Sequence, residues 1–207
     1  MEALRLDEGL WRWTAEHPNW ENWPNHEREA REVGCVYYEA ADATVLVDPL
    51  VPAGEQEAFF RHLDADVERR GLPVVILLTA AWHRRSADEL AARYDARIGG
   101  ALPAGVEEIP IEGTDERQVA YFIRPHAALV VCEAFAVDVD GELHVAPSPA
   151  LERPAEFAAS LARLLELPVE RLLVSHGAGA RRREDADGGG ASPPPVSVPA
   201  ARGSSGR

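Results

Sequence analysis

The residues best suited to chemistry lie in the loop Thr79–Arg85, which carries Trp82, His83, Arg84 and Arg85 in succession. Histidine can move protons near neutral pH or bind a metal, and the arginine fork suits carboxylates and phosphates. The two arginines could hold an anion, or they could pair with acidic neighbours on an acidic protein. His83 is either a partly exposed loop histidine or a ligand or proton carrier that a rearranged loop brings into a pocket.

The position of this loop between two regular elements makes it a candidate site. The run Pro73–Leu78 before it is apolar and rich in β-branched residues, which predicts a strand buried on both faces. Ser86 and Glu89 after it match a capping box, so we predict an amphipathic helix with Ser86 as its N-cap. Open α/β sheets bind ligands at the carboxyl ends of strands. We therefore expect any ligand or substrate at this loop.

The composition is that of an acidic globular protein. The chain has 207 residues and a formal net charge of −14, and all of its 21 cationic side chains are arginine. A phosphate backbone requires a basic face, so this charge argues against nucleic acid as a partner. The absence of lysine excludes Schiff-base chemistry on the chain itself.

Two further observations concern the cellular environment. Cys35 and Cys132 both fall in apolar, strand-like runs, which predicts buried free thiols. The first residues are acidic and do not match a signal peptide, and no apolar run approaches the roughly 20 residues that cross a bilayer. We therefore expect a cytoplasmic protein that does not bind a membrane. Its partner is expected to be a small molecule or a protein, of unknown identity.

The order of predicted elements favours a layered α/β sandwich of mixed sheets. The predicted strands are one or two in 3–13, then Cys35–Ala40, Thr44–Val47, the run before the loop, Val106–Ile111, Val119–Ile123, Ala127–Val137, Glu142–Val145 and Arg171–Val174. The predicted helices are Gly54–Arg70, the one that begins at Ser86, and Pro154–Glu166. Turns are predicted at Arg124–His126 and Asp138–Gly141.

The two ends of the chain differ from the rest. From about Ala178 the sequence is rich in Gly, Pro, Ser and Arg, so we predict one domain over 1–177 and a disordered tail over 178–207. Four tryptophans, Trp11, Trp13, Trp20 and Trp23, lie near the start. Their rings either cover one end of the core or form an aromatic lid over the loop.

The segments VLVDPL, VVILLTAAWHRRSA, VVCEAFAV and LLVSHG together resemble the metallo-β-lactamase superfamily of hydrolases over roughly residues 33–177. The resemblance implies an αββα sandwich of two mixed β-sheets, with one or two metals, usually zinc, at the carboxyl ends of the strands. Asp48 matches the aspartate that ends an early strand in that family. Glu133 stands where the family has a bridging aspartate, and His176 matches its last histidine.

The same resemblance shows that most of the family's metal ligands are missing. The four ligand positions of the main motif, Thr-His-x-His-x-Asp-His, fall on Ala80, Trp82, Arg84 and Arg85. None of these side chains binds zinc, which takes thiolate, imidazole and carboxylate ligands. Thr114 stands in the place of a further histidine, and His83 is one position out of register, where its side chain is expected to point elsewhere.

These substitutions lead to two readings of the function. In the first, the protein is a pseudoenzyme, non-catalytic or not zinc-dependent, with a degenerate metal site and no cofactor, and its pocket binds a small anionic ligand through Trp82, His83, Arg84 and Arg85. Arg84 or Arg85 would then replace the metal by pairing with Glu133, with His176 completing the network.

The alternative is a metal-dependent hydrolase of ester or thioester-type bonds with a reduced site. Zinc would be held by His83, Glu133 and His176, a donor set that zinc accepts. Glu133 and His176 are then the candidate catalytic residues, with His176 as ligand or general base. In the first reading they are an inherited pair held by hydrogen bonds.

Overall fold

A computed structural model of the chain describes residues 3–22, 30–114, 116–137, 143–145, 151–177 and 181–182. The larger of its sheets has six strands in chain order: β1 (Ala3–Asp7), β2 (Leu10–Glu16), β3 (Glu32–Glu39), β4 (Thr44–Val47), β5 (Val74–Leu77) and β6 (Arg97–Ile98). β1 to β4 are antiparallel, whereas β4, β5 and β6 are parallel to one another. The sheet is therefore mixed, as predicted.

A second mixed sheet has five strands: β7 (Val106–Ile111), β8 (Gln118–Ile123), β9 (Ala128–Val131), β12 (Arg171–Val174) and β13 (Arg181–Arg182). Their order across the sheet is β13-β12-β9-β8-β7. β12 is parallel to β9, and the other pairs are antiparallel. β10 (Phe135–Val137) and β11 (Leu143–Val145) form a separate two-stranded ribbon.

Among the described residues, three α-helices cover the outer faces of the two sheets. They are α1 (Gln56–Arg70), α2 (Ala87–Tyr94) and α3 (Pro154–Leu165). Phe59 of α1 and Leu90 of α2 pack with Ile76 of the first sheet, and Phe157 of α3 packs with Phe122 of the second. A further apolar cluster lies between the sheets and joins residues of both, so the layers are helix, sheet, sheet, helix.

Strand β5 explains why the site loop is firmly placed. Val75 and Leu77 belong to the cluster between the sheets, while Val74 and Ile76 face the helices, so the strand is buried on both faces as predicted. The loop Thr79–Arg85 therefore begins at the end of a strand that both layers of packing hold in place.

The predicted capping box at Ser86 is wrong. Ser86 does occupy the N-cap position of α2, but its side chain makes no capping hydrogen bond. Its Oγ instead accepts a hydrogen bond from the backbone N–H of Val51 at 3.0 Å. The serine therefore ties the start of α2 to the chain that follows β4, a long-range contact that the local pattern does not reveal.

The single strand predicted over Ala127–Val137 is divided in two. β9 ends at Val131, a turn covers the next residues, and β10 belongs to another sheet. The division places Glu133 on a turn at the carboxyl end of β9. A side chain there can point along the sheet edge towards the loop, which the regular alternation of a strand would restrict.

The other predicted strands and helices are present within the described residues, with ends that differ by up to three residues, and the structure adds β6. α1 ends at Gly71, which takes the left-handed conformation and donates its N–H to the Val67 carbonyl. Within the segment predicted to be disordered, Arg181–Arg182 pairs with β12; the rest of that segment and the turn predicted at Asp138–Gly141 lie outside the described residues. No described helix is long and apolar enough to cross a membrane.

Candidate functional site

The loop after β5 turns through a short 3-10 helix, Ala81–Arg84. The His83 N–H donates to the Ala80 carbonyl at 3.1 Å. Side chains of an extended segment alternate between two faces, and this assumption predicted His83 to point away from the site. A 3-10 turn has about three residues per turn and removes that alternation. His83 consequently points inward, while Arg84 is exposed.

His83 is 1% exposed and lies between two acidic side chains. Its Nδ1 is 2.9 Å from Asp48 Oδ2 and its Nε2 is 3.0 Å from Glu133 Oε1. The Thr79 hydroxyl also lies 2.9 Å from Nδ1 and donates to Asp48 Oδ2, and the Thr79 N–H donates to Asp48 Oδ1 at 2.8 Å. The interpretation of His83 as a partly exposed loop histidine is therefore wrong.

The positions of His83, Asp48 and Glu133 determine their charges. Burial by itself lowers the pKa of His83, but the Asp48 and Glu133 carboxylates more than offset it and raise that pKa to about 9. Burial would raise the pKa of Glu133, yet His83 and His176 hold it well below its usual range. At neutral pH the group is thus an imidazolium between carboxylates, with a proton on each ring nitrogen.

Trp82 and His176 complete the surroundings of Glu133. The Trp82 indole Nε1–H donates to Glu133 Oε2 at 2.9 Å, and 38% of Trp82 remains exposed. His176 Nε2 lies 3.7 Å from Glu133 Oε1, and His176 is 1% exposed. Trp82 therefore reaches the buried acid from the surface, and His176 approaches it from the end of β12.

The two arginines are directed elsewhere. Arg84 is exposed and donates from Nε to Asp88 at 2.7 Å and from Nη2 to Asp88 at 2.5 Å. Arg85 is half-buried and donates to the Asp48 carbonyl at 3.2 Å and to the Ser175 hydroxyl at 3.1 Å. Within the described part of the chain neither forms an ion pair with Glu133. The hypothesis of an arginine–Glu133 pair is wrong because His83 and the Trp82 indole already occupy that carboxylate.

His17, which is not among the predicted site residues, lies beside this site. Its ring centroid is 5.8 Å from that of His176 and 6.3 Å from that of Trp20. Burial, followed by the electrostatic effects of His176 and Arg85, lowers the pKa of His17 to about 4. The only sequence signal was its position at the end of a strand, directly before a proline.

The early tryptophans take different positions. Trp13 packs against Phe59 of α1 and Trp11 against Tyr37, so these two rings belong to the core beneath the helix and form no lid. Trp20 approaches the site through His17. Trp23 lies outside the described residues.

Arg12 is a further residue that sequence reasoning missed. It is 4% exposed and donates from Nη2 to the carbonyls of Gly177 at 2.9 Å and Val174 at 3.3 Å. The Gly34 N–H donates to the Ser175 carbonyl at 2.7 Å. These bonds tie β2 and β3 to the segment around His176, so Arg12 positions that histidine. The signal was a cation flanked by two tryptophans in a predicted strand.

The metal that the resemblance implies does not fit this arrangement. In the part of the chain that the structure describes, no group of three or more His, Cys, Asp or Glu side chains could hold a metal ion. His83, which would have to be neutral to bind a metal, instead has each ring nitrogen on a carboxylate. Thr114, in place of a family histidine, is buried and donates its hydroxyl to the Glu116 carbonyl at 2.7 Å.

Comparison with known proteins identifies the fold. No protein-family profile and no curated protein matches the sequence. Among solved structures, VMB-1 at pH 5.5 matches with a TM-score of 0.59 and 9% identity, covering 88% of this chain and 91% of that one. A metallo-β-lactamase from Erythrobacter litoralis, with β-mercaptoethanol in its active site, matches with a TM-score of 0.58 and 13% identity over 89% and 92% of the two chains.

A third structure, TTHA1623 in a di-iron-bound form, matches with a TM-score of 0.52 and 20% identity over 81% of this chain and 93% of that one. At such identities the likeness concerns the fold and not the chemistry of the site. Two packed mixed sheets with helices on both outer faces, together with these structural matches, establish that the chain has the metallo-β-lactamase fold.

Proposed function

We propose that this protein is a metal-independent, non-hydrolytic member of its fold, in which protonated His83 provides the positive charge between the acidic groups of the site. The observation that supports this proposal is the placement of both His83 ring nitrogens within 3.0 Å of the carboxylates of Asp48 and Glu133. Two buried carboxylates need a nearby cation, because an unpaired buried charge is costly. An imidazolium meets that need without a metal.

A metal would have to displace the His83 proton before it could bind. With a pKa of about 9, releasing that proton at pH 7 costs about 3 kcal/mol, at about 1.4 kcal/mol per tenfold change. The metal would also have to separate Glu133 from both His83 and the Trp82 indole. These costs oppose metal binding near neutral pH.

The same protonation states disfavour general-base hydrolysis. An effective general base has a pKa near the working pH. His83 is protonated at neutral pH, and Glu133, with its lowered pKa, is a weak base. Neither group is therefore poised to activate a water molecule.

Of the four residues expected to bind a ligand, two remain suited to a small anion. Arg85 is half-buried at the site and Trp82 is partly exposed at its surface, whereas Arg84 pairs with Asp88 and His83 is enclosed. We extend the proposal to a small carboxylate or phosphate held by Arg85, with Trp82 at the surface of the same loop. Phosphate titration followed by Trp fluorescence tests this, with Arg85→Gln expected to abolish a saturable change and Arg84→Gln, the control, to leave it intact.

The full-length protein, purified without added metal or chelator, tests the main proposal. We expect substoichiometric zinc, iron and manganese by elemental analysis. Nitrogen-15 NMR of the histidine rings at pH 7.5 should show both nitrogens of His83 protonated, with exposed His62 as an internal comparison. Stoichiometric metal that is lost in His176→Ala, or a neutral His83 ring, would contradict the proposal.

One observation favours a second candidate, the metal-dependent hydrolase of ester or thioester-type bonds. His83 Nε2 and His176 Nε2 approach the same oxygen of Glu133, at 3.0 and 3.7 Å. Moreover, Asp48 contacts the other ring nitrogen of His83, as carboxylates often do behind metal-bound histidines. On this reading, zinc affinity should rise steeply between pH 7 and 9 as His83 loses its proton, and calorimetry with zinc at both pH values separates the two candidates.

A further inference from the structure

A groove on the other side of the first sheet shares no residue with the loop site. It has a volume of about 340 Å³ and is lined by Trp11, Trp13, Tyr37, Phe59, His62 and Asp66, among others. Ligand pockets typically measure about 300–1,000 Å³, so this groove suits a small molecule. It lies where the outer face of β2 and β3 meets α1.

The groove combines four aromatic rings in different orientations. Trp11 and Tyr37 meet edge to face, with ring centroids 5.3 Å apart and planes at 80°. Trp13 and Phe59 are 5.6 Å apart with planes at 50°. Trp13, Tyr37 and Phe59 are only 3–6% exposed and form the floor of the groove, whereas Trp11 is half-buried at its side. The π face of an aromatic ring attracts cations.

The electrostatics of the groove also favour a cation. Asp66 is its only lining carboxylate, and no arginine lines it within the described chain. Burial raises the pKa of the Tyr37 hydroxyl, and the nearby Asp66 and Glu39 carboxylates raise it further, against a smaller opposing effect of Arg69. The net charge of −14 adds a favourable background for a positively charged ligand.

Two residues of the groove, Trp11 and Asp66, already contact arginine side chains in the way that they would contact a cationic ligand. The Arg5 guanidinium lies 6.0 Å from the centroid of the Trp11 ring. Asp66 accepts a hydrogen bond from Arg69 at 2.8 Å, in an ion pair whose side chains are 54% and 45% exposed. Such exposed pairs are weak, so Asp66 can exchange or share this partner.

We propose that the groove binds a small organic cation of the alkylammonium class, with the aromatic rings contacting its alkyl groups and Asp66 balancing its charge. A quaternary ammonium fits this combination because it offers apolar surface and a diffuse positive charge, and needs no hydrogen-bond acceptor of its own. This proposal is independent of the function proposed for the loop site.

Choline and its neutral isostere 3,3-dimethylbutan-1-ol are the matched probes. In NMR titrations of the full-length protein at pH 8, where an ordinary histidine is neutral, choline should shift the indole N–H signals of Trp11 and Trp13 in a saturable manner. The affinity of the neutral alcohol should be at least about three- to fivefold lower than that of choline. Equal affinity for both probes, or no saturable shift with choline, would overturn the proposal.

Three variants locate the interaction. Asp66→Asn should weaken choline about three- to fivefold, whereas Glu57→Gln, a control carboxylate on α1 with a side chain 93% exposed, should leave it unchanged. Trp11→Leu keeps apolar bulk and removes the π face, so it should weaken choline more than the alcohol. Unchanged choline binding in both Asp66→Asn and Trp11→Leu, with unchanged circular dichroism, would place the ligand elsewhere.

Discussion

Replacing His83 with glutamine tests the charge arrangement of the site directly. Glutamine retains hydrogen-bonding groups and loses the positive charge, so Asp48 and Glu133 keep polar neighbours without a cation between them. The folded-state pKa of His83 is about 9, compared with an ordinary value of 6.5. This difference corresponds to about 3 kcal/mol of stability in the protonated state, as an order of magnitude.

The sign of the pH dependence follows from the direction of the pKa shift. Because folding raises the pKa of His83, its contribution is fully present below pH 6.5 and is lost as the pH rises to about 9. The wild-type protein should therefore lose about 3 kcal/mol from this group between these limits. The His83→Gln variant lacks that dependence, so its deficit relative to wild type should be large at pH 6 and small at pH 9.5.

Urea unfolding at pH 6, 7.5 and 9.5, followed by circular dichroism, measures this difference. His62→Gln, which changes an exposed histidine of α1, is the control and should run parallel to wild type. If the free energies of unfolding of wild type and His83→Gln stay parallel across the pH range, the protonated bridge is refuted. Such a constant deficit would indicate that His83 acts only by packing.

Three further predictions follow from neighbouring contacts. Gly34→Ala should lower the free energy of unfolding by about 1–3 kcal/mol in urea titrations, because a Cβ there would overlap the Arg12 guanidinium; an unchanged midpoint would contradict that packing. Trp82→Phe keeps a ring but removes the N–H donor to Glu133, so we expect a loss of about 1–2 kcal/mol by thermal unfolding, and none if that bond is immaterial. Both cysteines are buried with raised thiol pKa values, so the native protein should not react with Ellman's reagent at pH 8 until urea unfolds it; rapid native reaction would disprove their burial.

Much of the fold could be predicted from local sequence. The apolar run before the loop, the periodic apolar residues of α1 and the glycine after it each specify an element through interactions within a few residues. Two details were misjudged: the capping hydrogen bond of Ser86 and the length of the strand that ends before Glu133. The Ser86 side chain accepts from Val51, 35 positions earlier, and the turn at Glu133 ends a strand whose apolar pattern continues.

The sequence by itself predicted the metallo-β-lactamase fold through a resemblance, and the matches to solved structures confirm that fold. The sequence also shows Ala80, Trp82, Arg84 and Arg85 at the four positions of the main motif, because residue types at motif positions can be read directly. Only the tertiary structure decided which cation faces Glu133. A 3-10 turn brings His83 inward, and contacts spanning 35 and 50 positions place it between Asp48 and Glu133. Residue types and their periodicity are local properties that can be read from the sequence. The partner of a buried charge is selected by chain segments that meet only after folding.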